Sequence, residues 1–206
     1  ASLQNHDQVG NRANGERMTH LLSAARRKIG AALLLTSPFT PLLFQGEEWS
    51  ASSPFLYFTD HDDPELGAAV SEGRRREFAA FGWSPDDVPD PQDLATFERS
   101  VLAWDERGQG EHAELLDWYR RLISLRRSTP DLLDDRLDQV VADADDGART
   151  LVIRRGSVTV ACNLGDASAS LPVRPATVLL ASDPAVHLDG DRVHLPPDTV
   201  VVLQTS

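Results

Sequence analysis

"PLLFQGEEW", residues 41–49, joins a short, unbroken apolar run to a glycine and two carboxylates. A run of that length reads as a strand buried on both faces that delivers polar groups at its C-terminal end. The same arrangement stands at the start of the chain. Ser2–Gln4 reads as the stub of a strand running into the polar loop Asn5–Asn14, whose first members are Asn5, His6 and Asp7. Between the two lies a helical pattern from about Glu16 through Leu35, with a break near Ser23. Leu21, Leu22, Ala25, Ile29, Ala32 and Leu33 recur near a period of 3.6, and Pro38 and Pro41 end the pattern. Strand, helix, strand, with polar groups where strands end, is the grammar of a (β/α) barrel. Two strands cannot close a barrel. Either the fold is a small α/β unit or the chain is the last part of a larger one.

Further along, residues 50–62 read as a loop carrying Phe55, Tyr57 and Phe58. Asp63-Pro64-Glu65 is a helix start: an N-cap, proline at the first helical position and acid in the first turn. Leu66, Val70, Phe78 and Phe81 are the expected apolar face of that helix, and Gly82 its terminator. Residues 83–110, rich in Pro, Asp and Gly, read as loop. An amphipathic helix is expected over about Ala113–Arg127, with Leu115, Leu116, Tyr119, Leu122 and Ile123 inward and Pro130 closing it. The pattern then changes. "TLVIRRGSVTVACNL" reads as two strands joined by a Gly-Ser turn, and Asp189-Gly190 marks a hairpin between "AVHL" and "DRVHLP". From about Asp138 the chain is expected to be an antiparallel β domain of the sandwich type.

Composition narrows the function. The formal net charge of the 206 residues is −12, so the basic footprint of a nucleic-acid binder is missing. The basic runs Arg26-Arg27-Lys28 and Arg74-Arg75-Arg76 lie within helical patterns and read as solvated faces. A single cysteine, Cys162, rules out an intrachain disulfide and favours a reducing cytoplasm. The longest apolar run, "IGAALLLTSPF", is too short to span a bilayer and is broken by Pro38. No secretory pattern opens the chain, so neither membrane nor nucleic acid is an expected partner.

Against this background "QNHDQVGNR", residues 4–12, resembles a signature of the alpha-amylase superfamily of glycoside hydrolases, in which Asn-His-Asp ends the seventh barrel strand. "PLLFQGEEW" is similar to its eighth strand and "LISLRRSTPDL", residues 122–132, to its eighth helix. Two further blocks, "PFLYFTDHDDPELGAAVSEGRRREFAAFGW" at 54–83 and "VPDPQDLATFERSVLAW" at 88–104, resemble the trehalose-releasing hydrolases of that superfamily. That group more often has Lys where Val101 stands and Asp where Ala103 stands. The implied fold is α/β plus all-β: residues 1–130 as the C-terminal part of a (β/α)8 barrel, and 131–206 as a β-sandwich. The implied substrate is maltooligosyl trehalose or a related α-glucan, cut at an α-1,4-glucosidic bond by a retaining mechanism. The superfamily's nucleophile and acid/base come from the fourth and fifth strands, which would lie before Ala1. The chain is therefore expected to start in mid-barrel, to need an N-terminal remainder of its parent chain as partner, to be inactive alone, and to use no cofactor.

The resemblance implies that Asp7 is the third carboxylate of the set, accepting hydrogen bonds from the 2- and 3-hydroxyls of the sugar at the cleavage point. His6 would donate to the same sugar. Asn5, Gln8 and Arg12 are candidates for shaping this loop or touching sugar. Only one of Glu47 and Glu48 can point into the barrel mouth, because neighbours on a strand face opposite ways, and Glu47 is taken as that one. Asp60 and His61 are read as sugar contacts. Together with Asp62 and Asp63 they have the chemistry of a metal site, yet Asp63 is accounted for as an N-cap and no metal is expected. Trp49, Phe55, Tyr57 and Phe58 are either sugar platforms or core. Two rival readings are a glycogen-branching glucanotransferase and a non-catalytic glucan-binding module. The second fits poorly, because residues 138–206 contain no Trp, Tyr or Phe.

Overall fold

Short runs rich in Val, Leu and Thr, separated by turn residues, produce antiparallel strands after residue 139. The computed structural model describes residues 1–84, 87–174 and 176–205. Within them lie β1 Val140–Asp145, β2 Thr150–Arg155, β3 Val158–Asn163, β4 Ala169–Pro172, β5 Ala176–Ala181, β6 His187–Asp189, β7 Arg192–Leu195 and β8 Thr199–Thr205. They form a five-stranded sheet, β1-β2-β3-β8-β5, and a three-stranded sheet, β4-β7-β6. The Gly-Ser turn joins β2 to β3 with Gly156 at φ +56°, and Gly190 turns β6 into β7 at φ +58°. Val152, Ala161, Val201 and Leu203 of the larger sheet pack with Val193 and Leu195 of the smaller one and with Val173. β3 is buried at all six positions. That is why "VTVACN" is continuously apolar or small: the small sheet covers one face, and α3 (Ala24–Thr36) lies against β3 and β8.

Ser23 caps α3 by accepting from the Arg26 N–H, and this cap is the expected break in the long helical pattern. The preceding turn is a separate helix, α2 (Met18–Leu21), with Leu21 and Leu22 exposed. Orphan carbonyls at the C-terminus of α3 are satisfied by arginines. Arg126 donates to Leu35 O and Ser37 O at 2.8 and 2.7 Å, and Arg155 donates to Thr36 O. Arg126 belongs to α6 (Gly110–Ser128), which buries Leu115, Trp118, Tyr119 and Leu122 and donates a Trp118 indole bond to Lys28 O at 3.0 Å.

No regular strand is assigned at residues 2–4 or 41–46 among the described residues. What stands there is one bridge. The Ala1 nitrogen donates to Thr40 O and the Leu42 N–H to Ala1 O, both at 2.8 Å. Those two bonds, from one residue to the neighbours on either side of Pro41, are the parallel pairing pattern. A strand buried on both faces is stabilised by neighbours on both edges, and a single bridge does not extend into a ladder.

The chain divides into two compact units: Ala1–Leu3, Ser23–Leu42 and everything from Glu114 on, and Gln4–Leu22 with Leu43–Ala113. The second unit is mostly helix and loop. It contains α1 (His6–Gly10) within the expected polar loop, α2, α4 (Pro64–Ala80) and α5 (Leu94–Ser100). α5, capped by Asp93, lies inside the stretch read as loop, part of which (residues 85 and 86) is outside the described residues. α4 begins as expected, with Asp63 accepting from the N–H groups of Glu65 and Leu66. Its buried face is a correction. Leu66 and Phe81 are exposed, and the inward stripe is Gly67, Ser71, Arg74 and Phe78. Small and polar residues take that stripe because the helix lies against hydrogen-bonding groups. A Cβ on Gly67 would stand 2.7 Å from the Gln92 side chain, and the Ser71 hydroxyl donates to Asp90 at 2.6 Å. The basic runs need the same correction: Arg74 and Arg27 are buried, while Arg75, Arg76 and Arg26 are exposed.

Candidate active site

Every residue expected in the site lies in the second unit. α1 is opened by Asn5, whose side-chain oxygen accepts from the Gln8 N–H at 3.0 Å. Asn5 is thus engaged as an N-cap, the use its residue type favours. The cap turns the next two residues outward. His6 and Asp7 are 72% and 71% exposed at the side chain, with Nε2 and Oδ1 3.3 Å apart. Gln8 and Arg12 are also exposed, and Val9 and Gly10 face inward.

A cleft of about 310 Å³ opens beside this helix. His6, Asp7, Gly10 and Asn11 form one side and Phe55, Leu56, Tyr57 and Phe58 the other. Gly15 fixes the spacing of the two segments. Its carbonyl accepts from the Phe55 N–H at 2.9 Å, its φ is +58°, and a Cβ there would meet Phe55 O at 2.4 Å, so no side chain fits. Edge-to-face contacts then run from Phe44 to Phe55 to Phe58 to Phe97, at 5.1, 5.9 and 5.2 Å. Tyr57 and Phe58 remain 40% and 36% exposed, which leaves ring surface on the cleft. Trp49 is different: it is 2% exposed, donates its indole N–H to Glu106 at 3.1 Å, and is core.

Arg74, unread as a site residue, ties the two sides together. It donates to Gly10 O at 2.7 Å and Arg12 O at 3.3 Å, satisfying carbonyls at the end of α1, and its guanidinium lies 4.6 Å over Tyr57 and 4.9 Å over Phe78. Burial pulls its pKa down against the charges of Glu77 and Tyr57. Arg17 does similar work behind the cleft. It is 1% exposed, donates to Gln45 O and Ser53 O at 2.6 and 2.7 Å, and stacks 5.0 Å over Phe44. Burial lowers its pKa to about 10, opposed by Glu106, Glu47 and Glu48, so it stays charged at neutral pH.

Glu47, expected at the barrel mouth, is turned inward. It is 3% exposed in a short 3-10 turn after Gly46, and its carboxylate accepts from the Phe44 N–H at 3.4 Å. Asp60 is exposed and His61 half-buried. Gln92 clamps their segment, accepting from the Thr59 hydroxyl and the His61 N–H and donating to His61 O, at 2.5, 3.2 and 3.3 Å. Glu106 holds the 49–52 loop through the Trp49 indole, the Ser52 N–H and the Ser52 hydroxyl. Burial works against its charge, but the Ser52 and Trp49 hydrogen bonds prevail and hold its carboxyl below the usual range. Neither Gln92 nor Glu106 carries a local sequence signal; each sits far along the chain from its partners.

Comparison with known proteins bears on this cleft. Malto-oligosyltrehalose trehalohydrolase from Rhizobium sp. (strain M-11) is 51% identical over 98% of this chain and 34% of its own length. The enzyme of that name from Brevibacterium helvolum is 48% identical over 98% of the chain and 34% of its length. The chain is a homologue of the malto-oligosyltrehalose trehalohydrolases. It spans about a third of the length of these trehalohydrolases. Residues 135–202 match the family model described as a domain of unknown function, DUF3459. Among solved structures, a presumed alpha amylase from Salmonella typhimurium superposes with a TM-score of 0.83 at 36% identity, over 99% of this chain and 35% of that one. An alpha-amylase from H. orenii, 18% identical, shares the fold at a TM-score of 0.56, covering 100% of this chain and 39% of its own.

Proposed function

We propose that this chain carries the sugar-orienting carboxylate of a retaining glycoside hydrolase that cuts the α-1,4-glucosidic bond of maltooligosyl trehalose and releases trehalose. The observation that carries the proposal is the Asp7–His6 pair, exposed side by side at a cleft with the Phe55–Phe58 segment opposite. Names of the homologous proteins point to the same substrate. In this reading Asp7 accepts hydrogen bonds from two ring hydroxyls. As the ring flattens toward an oxocarbenium ion those bonds tighten, so the fixed negative charge favours the transition state over the bound substrate. His6 donates to a hydroxyl of the same ring, and Tyr57 and Phe58 offer faces to neighbouring glucose units. Arg74 and Gly15 keep the two sides in register. Asn5 shapes the site as a cap, Gln8 and Arg12 flank it, and the Asp60–His61 segment extends its wall. Glu47 acts through the turn it closes.

The nucleophile and the acid/base belong, in this proposal, to a longer protein, in which residues 1–130 complete a (β/α)8 barrel and 131–206 form its C-terminal sandwich. The parallel bridge at Ala1 and Pro41, with α3 between its two sides, is the strand–helix–strand pairing a barrel would contain and supports the barrel part of this reading. The single cysteine favours a reducing, cytoplasmic setting for this enzyme. The test is product analysis with the longer protein on maltooligosyl trehalose and on the corresponding maltooligosaccharide. Trehalose release from the first is expected. Elongated or branched glucans without trehalose would replace this reading with the glucanotransferase.

A further inference from the structure

The outer face of the small sheet holds a second group of chemically capable side chains. His187 of β6 and His194 of β7 are direct cross-strand partners. Their neighbours Leu188 and Val193 point into the sandwich core, so alternation sends both imidazoles to the opposite, outer face. The rings are stacked, with centroids 4.7 Å apart and planes within 9°. His187 Nδ1 lies 3.0 Å from Ala185 O. A carbonyl only accepts, so Nδ1 carries the proton and the Nε2 lone pair is left available. Imidazoles that ligate metals are fixed in this way, by donating the other ring nitrogen to a carbonyl. Asp189, two residues along the same strand face, adds negative charge, opposed by Arg192, its cross-strand partner on that face.

We propose that His187 and His194 form a two-imidazole site for a late first-row divalent metal ion. Imidazole suits Cu²⁺, Ni²⁺ and Zn²⁺, whereas Mg²⁺ and Ca²⁺ call for oxygen donors. Two metal–nitrogen bonds of about 2.0–2.1 Å at a tetrahedral angle place the donor atoms about 3.3 Å apart. The stacked rings hold their lone pairs nearly parallel, so binding keeps His187 on Ala185 O and turns the His194 ring about its side-chain torsions to aim a nitrogen at the shared ion. Water fills the remaining positions. The bound ion cross-links β6, a three-residue edge strand hydrogen-bonded only to β7, to its partner. The site therefore acts as a metal staple on the sheet and is separate from the sugar cleft.

The experiment is a titration of the complete chain with Ni²⁺ and Zn²⁺, following the imidazole proton signals of its six histidines. Paramagnetic Ni²⁺ is expected to broaden the His187 and His194 signals first, saturating at one equivalent, while Mg²⁺ broadens and shifts nothing. His187→Ala or His194→Ala should weaken Zn²⁺ binding at least about tenfold, since loss of one tethered donor removes the intramolecular second bond. Equal response of all six histidines, or unchanged affinity in both variants, would overturn the proposal. The broadening in the unaltered chain decides the matter even if a variant does not fold.

Discussion

The β-sandwich and the cleft-bearing unit are built by opposite means. In the sandwich, stability comes from apolar burial along the central strands: Val193, Val201 and Leu203 are fully buried, and the turns sit on Gly156 and Gly190. In the cleft-bearing unit a small cluster of Ala13, Phe78 and Val88 stands beside buried Val9, Trp49, Ala51 and Leu56. Its loops are held by buried or half-buried polar side chains, each serving backbone atoms far along the chain: Arg17 to Gln45 and Ser53, Arg74 to Gly10, Gln92 to His61. A sheet repeats one solution along its strands. A cleft needs each loop placed separately, and long hydrogen-bonding side chains do that without filling the space where a ligand goes.

The largest expected effect separates activity from both kinds of stability. In the longer enzyme proposed above, Asp7→Asn keeps the volume but removes the charge. A loss of about 4 kcal/mol from the barrier reduction lowers kcat about a thousandfold. KM should change far less and the melting temperature not at all, because Asp7 is exposed. Near-normal kcat in a folded variant would take Asp7 out of the mechanism. Next comes Leu203→Ala, which opens a cavity in the sandwich and should cost about 3 kcal/mol in denaturant unfolding. A cost below about 1 kcal/mol would mean that apolar burial is not what holds this half.

Arg74→Met tests the other half. The substitution keeps an apolar stem but leaves Gly10 O and Arg12 O without their donor, for a loss of about 2 kcal/mol. If the variant is as stable as the parent, the tether is ornamental and the comparison fails. The smallest effect is a pH dependence. Glu106 has its pKa lowered below 4.5 on folding, so its contribution is complete above that value and is lost as the pH falls through the folded value. Glu106→Gln should cost about 1 kcal/mol at pH 7 and flatten the decline in stability as the pH falls below 4.5. An unchanged decline would assign it to other carboxylates.

The same contrast governs what could be read from sequence. Hairpins are local, so Gly-Ser and Asp-Gly located β2–β3 and β6–β7, and Ser23 and Asp63 located helix starts for the same reason. The inward face of α4 was misread because periodicity looks for apolar residues, and Gly67, Ser71 and Arg74 are not apolar. α5 was missed because seven residues among prolines and aspartates carry little pattern. In the site, residue types indicated His6 and Asp7 as a polar pair at a segment's end. They could not show that Glu47 turns inward or that Gln92 and Glu106 reach back over dozens of residues. Contacts at long range leave no periodic trace.

Cys162 has a consequence of a practical kind. It is fully buried in β3, and burial raises its thiol pKa to about 12. The thiolate that alkylating reagents attack is therefore scarce in the folded chain, and the sulfur is out of reach besides. Labelling of this single native thiol becomes a clock for opening of the central strands. Its rate reads how often the sandwich breathes, with no probe added to the molecule.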